Sequence, residues 1–219
     1  MSESLFSAAD PVRGGDPAAR AELVRRLIAD GADVSARDES GATALHRAVK
    51  APYSADDPLP SLEVIRALLE CDADVHAVDN NGVTPAVWAV ALNDSDPAAW
   101  VERSLQVLAL LVEHGARLDG PSGNTTKSSP AHHSTVAVPL YTFLLDHGAP
   151  IDAVDARGDA PLHATVRSQR PGLVRLLLER GADTAVVNRL GQTPWACRTP
   201  RRRAGPRRRG RGRVPSGCR

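Results

Sequence analysis

Aromatic side chains are nearly missing: three Trp, two Tyr and two Phe make up 3% of 219 residues. Leu, Val and Ala must therefore fill any interior, which favours helices packed closely through small side chains. Cysteine is as scarce. Cys71, Cys197 and Cys218 are odd in number and scattered, which argues against a disulfide framework and fits a reducing compartment. No apolar run approaches the ~18 residues of a membrane span, and no cationic-then-apolar leader follows Met1. The expected address is cytoplasmic, with no membrane partner. Lysine is rare too, with two Lys against 25 Arg, a bias that points to coding DNA rich in G and C.

The net charge of +1 hides a division. Residues 198–219 hold ten Arg and no acid, which leaves 17 basic against 26 acidic residues before them. An acidic body carries a short basic tail.

What the chain does contain is a recurring phrase. It reads GADV at 31–34, GARL at 115–118, GAPI at 148–151 and GADT at 181–184, with DADV at 72–75 lacking the glycine. The last three copies start 33 residues apart, and the earlier steps are 41 and 43. A period near ~33 residues marks a stack of small helical units in place of one globular core. The best copy starts at Asp155. Gly158 suits a tight turn, and Pro161 suits a first helical position. Leu162, Thr165 and Val166 share one face; Pro171-Gly172 is expected to break the chain. Leu173, Val174, Leu176 and Leu177 then form the stripe of a second helix, which Gly181 closes in the left-handed conformation.

The set Gly41-x-Thr43-Ala44-Leu45-His46-x-Ala48, Gly82-x-Thr84-Pro85-Ala86, Gly158-x-Ala160-Pro161-Leu162-His163 and Gly191-x-Thr193-Pro194-Trp195 resembles the ankyrin repeat. The resemblance runs from about residue 5 to residue 194. It implies an all-α, ankyrin-type helical-repeat solenoid with short extended turns between repeats. In that family the Thr caps the first helix and the His bonds within and between repeats. Only Thr43 with His46 keeps both, and Asp159-Ala160 offers no capping hydroxyl.

The expected division is an N-terminal capping repeat (1–36), repeats with an inter-helix insertion at 37–77 and 78–119, a degenerate repeat at 120–153, a repeat at 154–187, a partial repeat at 188–197 and a disordered Arg-rich tail at 198–219. The capping unit keeps Leu23, Val24, Leu27 and Ile28 inside a polar face of Glu22, Arg25 and Arg26. The insertions are residues 50–60 and 93–104, where a solvent-facing loop lengthens cheaply. Asp72 at a glycine position implies a strained left-handed residue, at a cost of ~1–2 kcal/mol. The tail, with Pro and Gly throughout, ends the stack on half a unit. It replaces a lost final cap or reads from a shifted frame, and self-association through the uncapped end follows from uncovered apolar surface near Leu176 and Trp195.

No catalytic constellation, phosphate loop or zinc spacing emerges, so neither enzyme chemistry nor a cofactor or metal is expected. His132-His133 with His147 is the nearest approach to a metal set, and it lacks acidic ligands. The expected role is a non-catalytic scaffold that binds another protein through the concave ankyrin groove. Its candidate residues are Glu39, Ser40, Asn80, Asn81, Arg157 and Arg189 at the turn tips, with Arg47 and Trp88 on the first helices. Most such residues are solvated polar turns in any protein; only stacking lines them up. Trp88 is either a binding anchor or packed beside Trp100 under the 93–104 stretch, and Trp195 takes a core Leu slot. The acidic body favours a partner with a basic segment, in on-rate more than affinity. Two rival readings remain: nucleic-acid association through the tail, without an aromatic to stack on bases, and an unrecognised enzyme.

Overall fold

A computed structural model of the chain describes residues 4–13, 15–50, 59–90, 97–118 and 137–197. Its helices are α1 (Leu5–Ala9), α2 (Pro17–Ala29), α3 (Ala44–Ala48), α4 (Leu62–Glu70), α5 (Pro85–Val90), α6 (Pro97–Glu113), α7 (Val138–Asp146), α8 (Pro161–Arg167) and α9 (Pro171–Glu179), with a short 3₁₀ turn at Pro11–Arg13. There is no strand among the described residues.

Helix starts follow short-range chemistry. The side chains of Ser4, Asp16 and Ser61 accept the amides of Ser7, Ala19 and Val64 at 3.2, 3.0 and 3.3 Å. Helix ends are written just as locally. After Gly31, Gly115, Gly148 and Gly181, all at positive φ, the next amide returns five residues to Leu27, Leu111, Leu144 and Leu177, each at 2.9 Å. Asp72 does the same work at φ 60, with Ala73 bonded back to Leu68 at 3.1 Å, so the strain read from the sequence is present.

These pairs of helices stack as a row. The second helices pack in succession, α2 on α4, α4 on α6, α6 on α7 and α7 on α9, and the first helices follow as α1 on α3 and α3 on α5. One apolar cluster runs through the row from Leu5 to Ala182, and its largest fully buried members are Leu, joined by Ile65 and Tyr141. Burying each Leu contributes about 1.5–3 kcal/mol, so the stack stands on aliphatic packing with few aromatics. At the N-terminal end the Arg20 guanidinium ties α1 to α2 by donating to the carbonyls of Ala8 and Asp10, at 2.9 and 2.7 Å.

The structure corrects the sequence reading in two places. Pro171-Gly172 does not break the chain; Pro171 opens α9, and the break falls just before it, where Gln169 adopts φ 55. Proline at a first helical position lacks only an amide that has no partner there. The stretch 93–104 is not all loop, since α6 begins at Pro97 and runs for 17 residues. Trp100 is buried within that added length. The stretches 51–58 and 123–134 and the tail 198–219 lie outside the described residues.

Candidate functional site

Four tight turns among the described residues begin at Asp38, Asp79, Asp155 and Asn188. That first side chain folds each turn by accepting two amides: Ser40 and Ala42 for Asp38, Asn81 and Val83 for Asp79, Arg157 and Asp159 for Asp155, Leu190 and Gln192 for Asn188. The remaining residues of each tip are thereby pushed outward. Glu39, Ser40, Asn80, Asn81, Arg157 and Arg189 are all exposed.

Neighbouring tips are fastened to one another. The Asn80 amide donates to the Ser40 carbonyl at 2.9 Å, and its side-chain amide to the Glu39 carbonyl at 2.9 Å. In the same way the Arg189 amide donates to the Arg157 carbonyl at 3.0 Å. The approach is close enough to demand glycine. A Cβ on Gly41 would stand 2.7 Å from the Asn80 nitrogen, and one on Gly158 would stand 2.9 Å from that of Arg189.

Behind the tips, the first residue of three of these turns also reaches a side chain nine positions on. Asp38 Oδ2 accepts from the Arg47 guanidinium, with Nε at 2.9 Å. Asp79 Oδ2 accepts from Trp88 Nε1 at 3.2 Å, and Asn188 Nδ2 lies 3.6 Å from Cys197 Sγ. Arg47 and Trp88 are therefore held half-buried. The Trp88 and His46 rings meet in a T-shaped contact, with centroids 5.4 Å apart. Burial disfavours the Asp38 carboxylate, but hydrogen bonds from Ser40 and Arg47 outweigh it and bring its pKa to about 2.

Two histidines join successive units. Thr43 N–H donates to His46 Nδ1 at 3.1 Å, so that nitrogen carries no proton and Nε2–H donates to the Val83 carbonyl at 2.9 Å. His163 repeats this with the Ala160 amide at 3.1 Å and the Gln192 carbonyl at 3.0 Å. At Thr43 the hydroxyl completes a capping box; at Ala160 only the histidine's half exists. Burial holds His46 below its ordinary pKa.

A polar cluster that the sequence reading missed lies at the second of these joints. Asp159 is 1% exposed, accepts from Arg167 at 2.7 Å and from Asn188 Nδ2 at 2.9 Å. Burial opposes its ionisation, but the bonds from Asn188 and Arg167 prevail and lower its pKa. Asp159, His163 and Cys197 bring a ligating atom each to within 4.8 Å of one another. The donors there are already committed: both Asp159 oxygens and both His163 nitrogens hold protein partners, and a guanidinium occupies the position next to the carboxylate. The group serves as a hydrogen-bonded joint and is poorly suited to a cation. His132 and His133 lie outside the described residues, and His147 bonds the Phe143 carbonyl through Nδ1 at 2.8 Å.

Trp195 departs from its expected place in the core. It is 49% exposed, because it belongs to the last described layer and no described helix pair covers it. Leu190 is 80% exposed, and Val154 and Val187 are each 57% exposed.

These features have a common source. The chain matches the family description "Ankyrin repeats (3 copies)" over residues 17–120 and "Ankyrin repeat" over residues 157–189, together more than half its length. It belongs to the ankyrin repeat family. Among solved structures it is similar to the ankyrin repeat domain of Bcl-3, a member of the IkappaB protein family, with TM-score 0.65 and 28% identity over 83% of this chain and 74% of that one. It is also similar to a chain in the structure of a Bdellovibrio bacteriovorus predatory endopeptidase in complex with an immunity protein, with TM-score 0.66, 22% identity and 89% of each chain covered. An ankyrin repeat domain from Acinetobacter baumannii AYE has TM-score 0.63 and 23% identity, with 88% of each chain covered. No curated protein matches the chain in sequence.

Proposed function

We propose that the protein is a non-catalytic scaffold that binds another protein across the row of turn tips and first helices. The observation that carries this reading is the fastening of tip to tip, Asn80 on Ser40 and Arg189 on Arg157. It holds exposed polar residues of separate units in fixed register, so little conformational entropy is lost when a partner binds. Half-buried Arg47 and Trp88, oriented by Asp38 and Asp79, lie behind the tips and are of the types that dominate interface energetics. Cys71 and Cys197 are free thiols, which suits a cytoplasmic setting. No described helix is long and apolar enough to cross a membrane.

The test is capture of a partner from the native host, followed by Trp88→Ala, Arg157→Ala and Arg189→Ala. Loss of affinity of about tenfold or more in at least one variant supports the row as the site. Unchanged affinity in all three moves the site elsewhere. The second reading, nucleic-acid association through the ten Arg of residues 198–219, predicts affinity that falls steeply with salt and vanishes when those residues are deleted.

A further inference from the structure

The tips differ from one end of the row to the other. At the N-terminal end the exposed tip residues are Glu39 and Ser40, followed by Asn80 and Asn81. At the C-terminal end they are Arg157, Arg189 and Leu190, and the residues leading into those turns are Val154 and Val187. The three aliphatic side chains there are 57–80% exposed, far more than folding of the unit requires. Arg157 and Arg189 make no side-chain hydrogen bond or ion pair with a described residue, unlike Arg47 and Arg167, which have carboxylate partners. The backbone bond from Arg189 to Arg157 sets these two turns side by side, and the two cations and three aliphatics on and beside them are all exposed.

We propose that this C-terminal end of the tip row docks an extended protein segment that alternates aliphatic and acidic residues. The proposal rests on the tips being a docking row and names the chemistry of its partner there. Alternation places successive side chains on opposite sides of an extended strand, one set against Val154, Val187 and Leu190, the other toward the two guanidiniums. Aliphatic contact supplies affinity, and the unpaired arginines select carboxylates, which they grip in bidentate fashion. The chain's own tail does not fit, because residues 198–219 carry ten Arg, no acid and a single aliphatic residue beyond alanine, Val214. The partner expected from the acidic body as a whole is basic; at this end local charge reverses that preference.

The experiment uses the full chain and three labelled synthetic peptides, each nine residues and so about 30 Å when extended. One alternates Glu with Val and Leu, one has Lys in place of Glu, and one has Ser in place of the aliphatics. Fluorescence anisotropy is measured at low and moderate salt against wild type, Arg157→Glu/Arg189→Glu and Val187→Ser/Leu190→Ser. The Glu–aliphatic peptide is expected to bind wild type roughly tenfold or more tightly than either other peptide, the scale of one well-formed contact cluster. The charge reversal should abolish that preference, and the Ser variant should weaken it by a similar factor. All substituted residues are exposed, and unchanged thermal melts verify the fold. Equal affinity for the Glu–aliphatic and Glu–Ser peptides would overturn the proposal by removing the aliphatic contact, and affinity indifferent to both tip variants would overturn it by placing binding away from these tips. Absence of peptide binding overturns it as well. A captured partner that loses affinity on Trp88→Ala under those same conditions leaves the groove reading standing while this one falls.

Discussion

The two histidine joints make the same bonds by different means. Around His46 the neighbours are a capping hydroxyl from Thr43 and the Trp88 ring, and its Nε2–H reaches Val83. Around His163 the cap has no hydroxyl, and a buried carboxylate, Asp159, is neutralised by Arg167 and bonded by Asn188 of the following turn. The first joint is held by cap and packing, the second by charge. A repeat therefore conserves the position of a bond more strictly than the chemistry around it, and its units need not fail under the same conditions.

The sharpest way to break the comparison is at the histidines. His46→Ala leaves the Thr43 amide and the Val83 carbonyl buried without partners and opens a cavity, so about 3 kcal/mol of stability should be lost in urea unfolding. His163→Ala should cost less, about 2 kcal/mol, because the Asp159–Asn188 bond still bridges the same two units. Equal losses would show that the ionic joint adds nothing. Arg167→Met comes next. It strands a carboxylate that is almost wholly buried, but Asn188 remains and Arg167 is itself 40% exposed, which lowers the expected cost to about 1–2 kcal/mol.

Acid separates the joints without mutation. The folded-state pKa of His46 lies below its ordinary value near 6.5, so its contribution is complete above that value and is lost as the pH falls through the folded pKa. Asp159 is likewise lowered, from a value of 3.8, so its contribution persists above that value and disappears only as the pH falls below it. Hydrogen exchange at pH 5 should therefore show the α3–α5 end of the row loosened relative to pH 7.5, with α8 and α9 little changed. Uniform loosening would contradict the assignment. The smallest effect is a gain: Asp72→Gly relieves a left-handed residue at φ 60 and should add about 1 kcal/mol.

Much of the architecture was legible because it is written in short-range signals. The recurring glycine phrase marks the ends of α2, α6, α7 and α9, and the leucine stripe of α9 contributes its buried face. What escaped the sequence depends on neighbours. Trp195 holds a leucine slot, but a slot is interior only when another layer covers it. Pro171 looks the same whether it stops a helix or starts one, and the deciding turn at Gln169 carries no glycine. Asp159 read as a missing cap because its partners are eight and 29 residues away, beyond any local period. For the candidate site, the exposure of the tips was readable from their turn chemistry. The tethering of Arg47 and Trp88 was not read, although the spacing of nine from Asp38 and Asp79 recurs and aligned copies would have revealed it.

Gly41 and Gly158 occupy the places where adjoining turns come nearest, and no side chain fits there. Glu39 and Arg157, close before them, lend the stack their carbonyls, while their exposed side chains make no bond with a described residue. Evolution can rewrite those letters, exchanging acid for base or polar for greasy, while the helical stack beneath stays as it is. On the proposed docking role, such rewriting changes the binding companion at almost no cost to folding, provided the glycines are left alone.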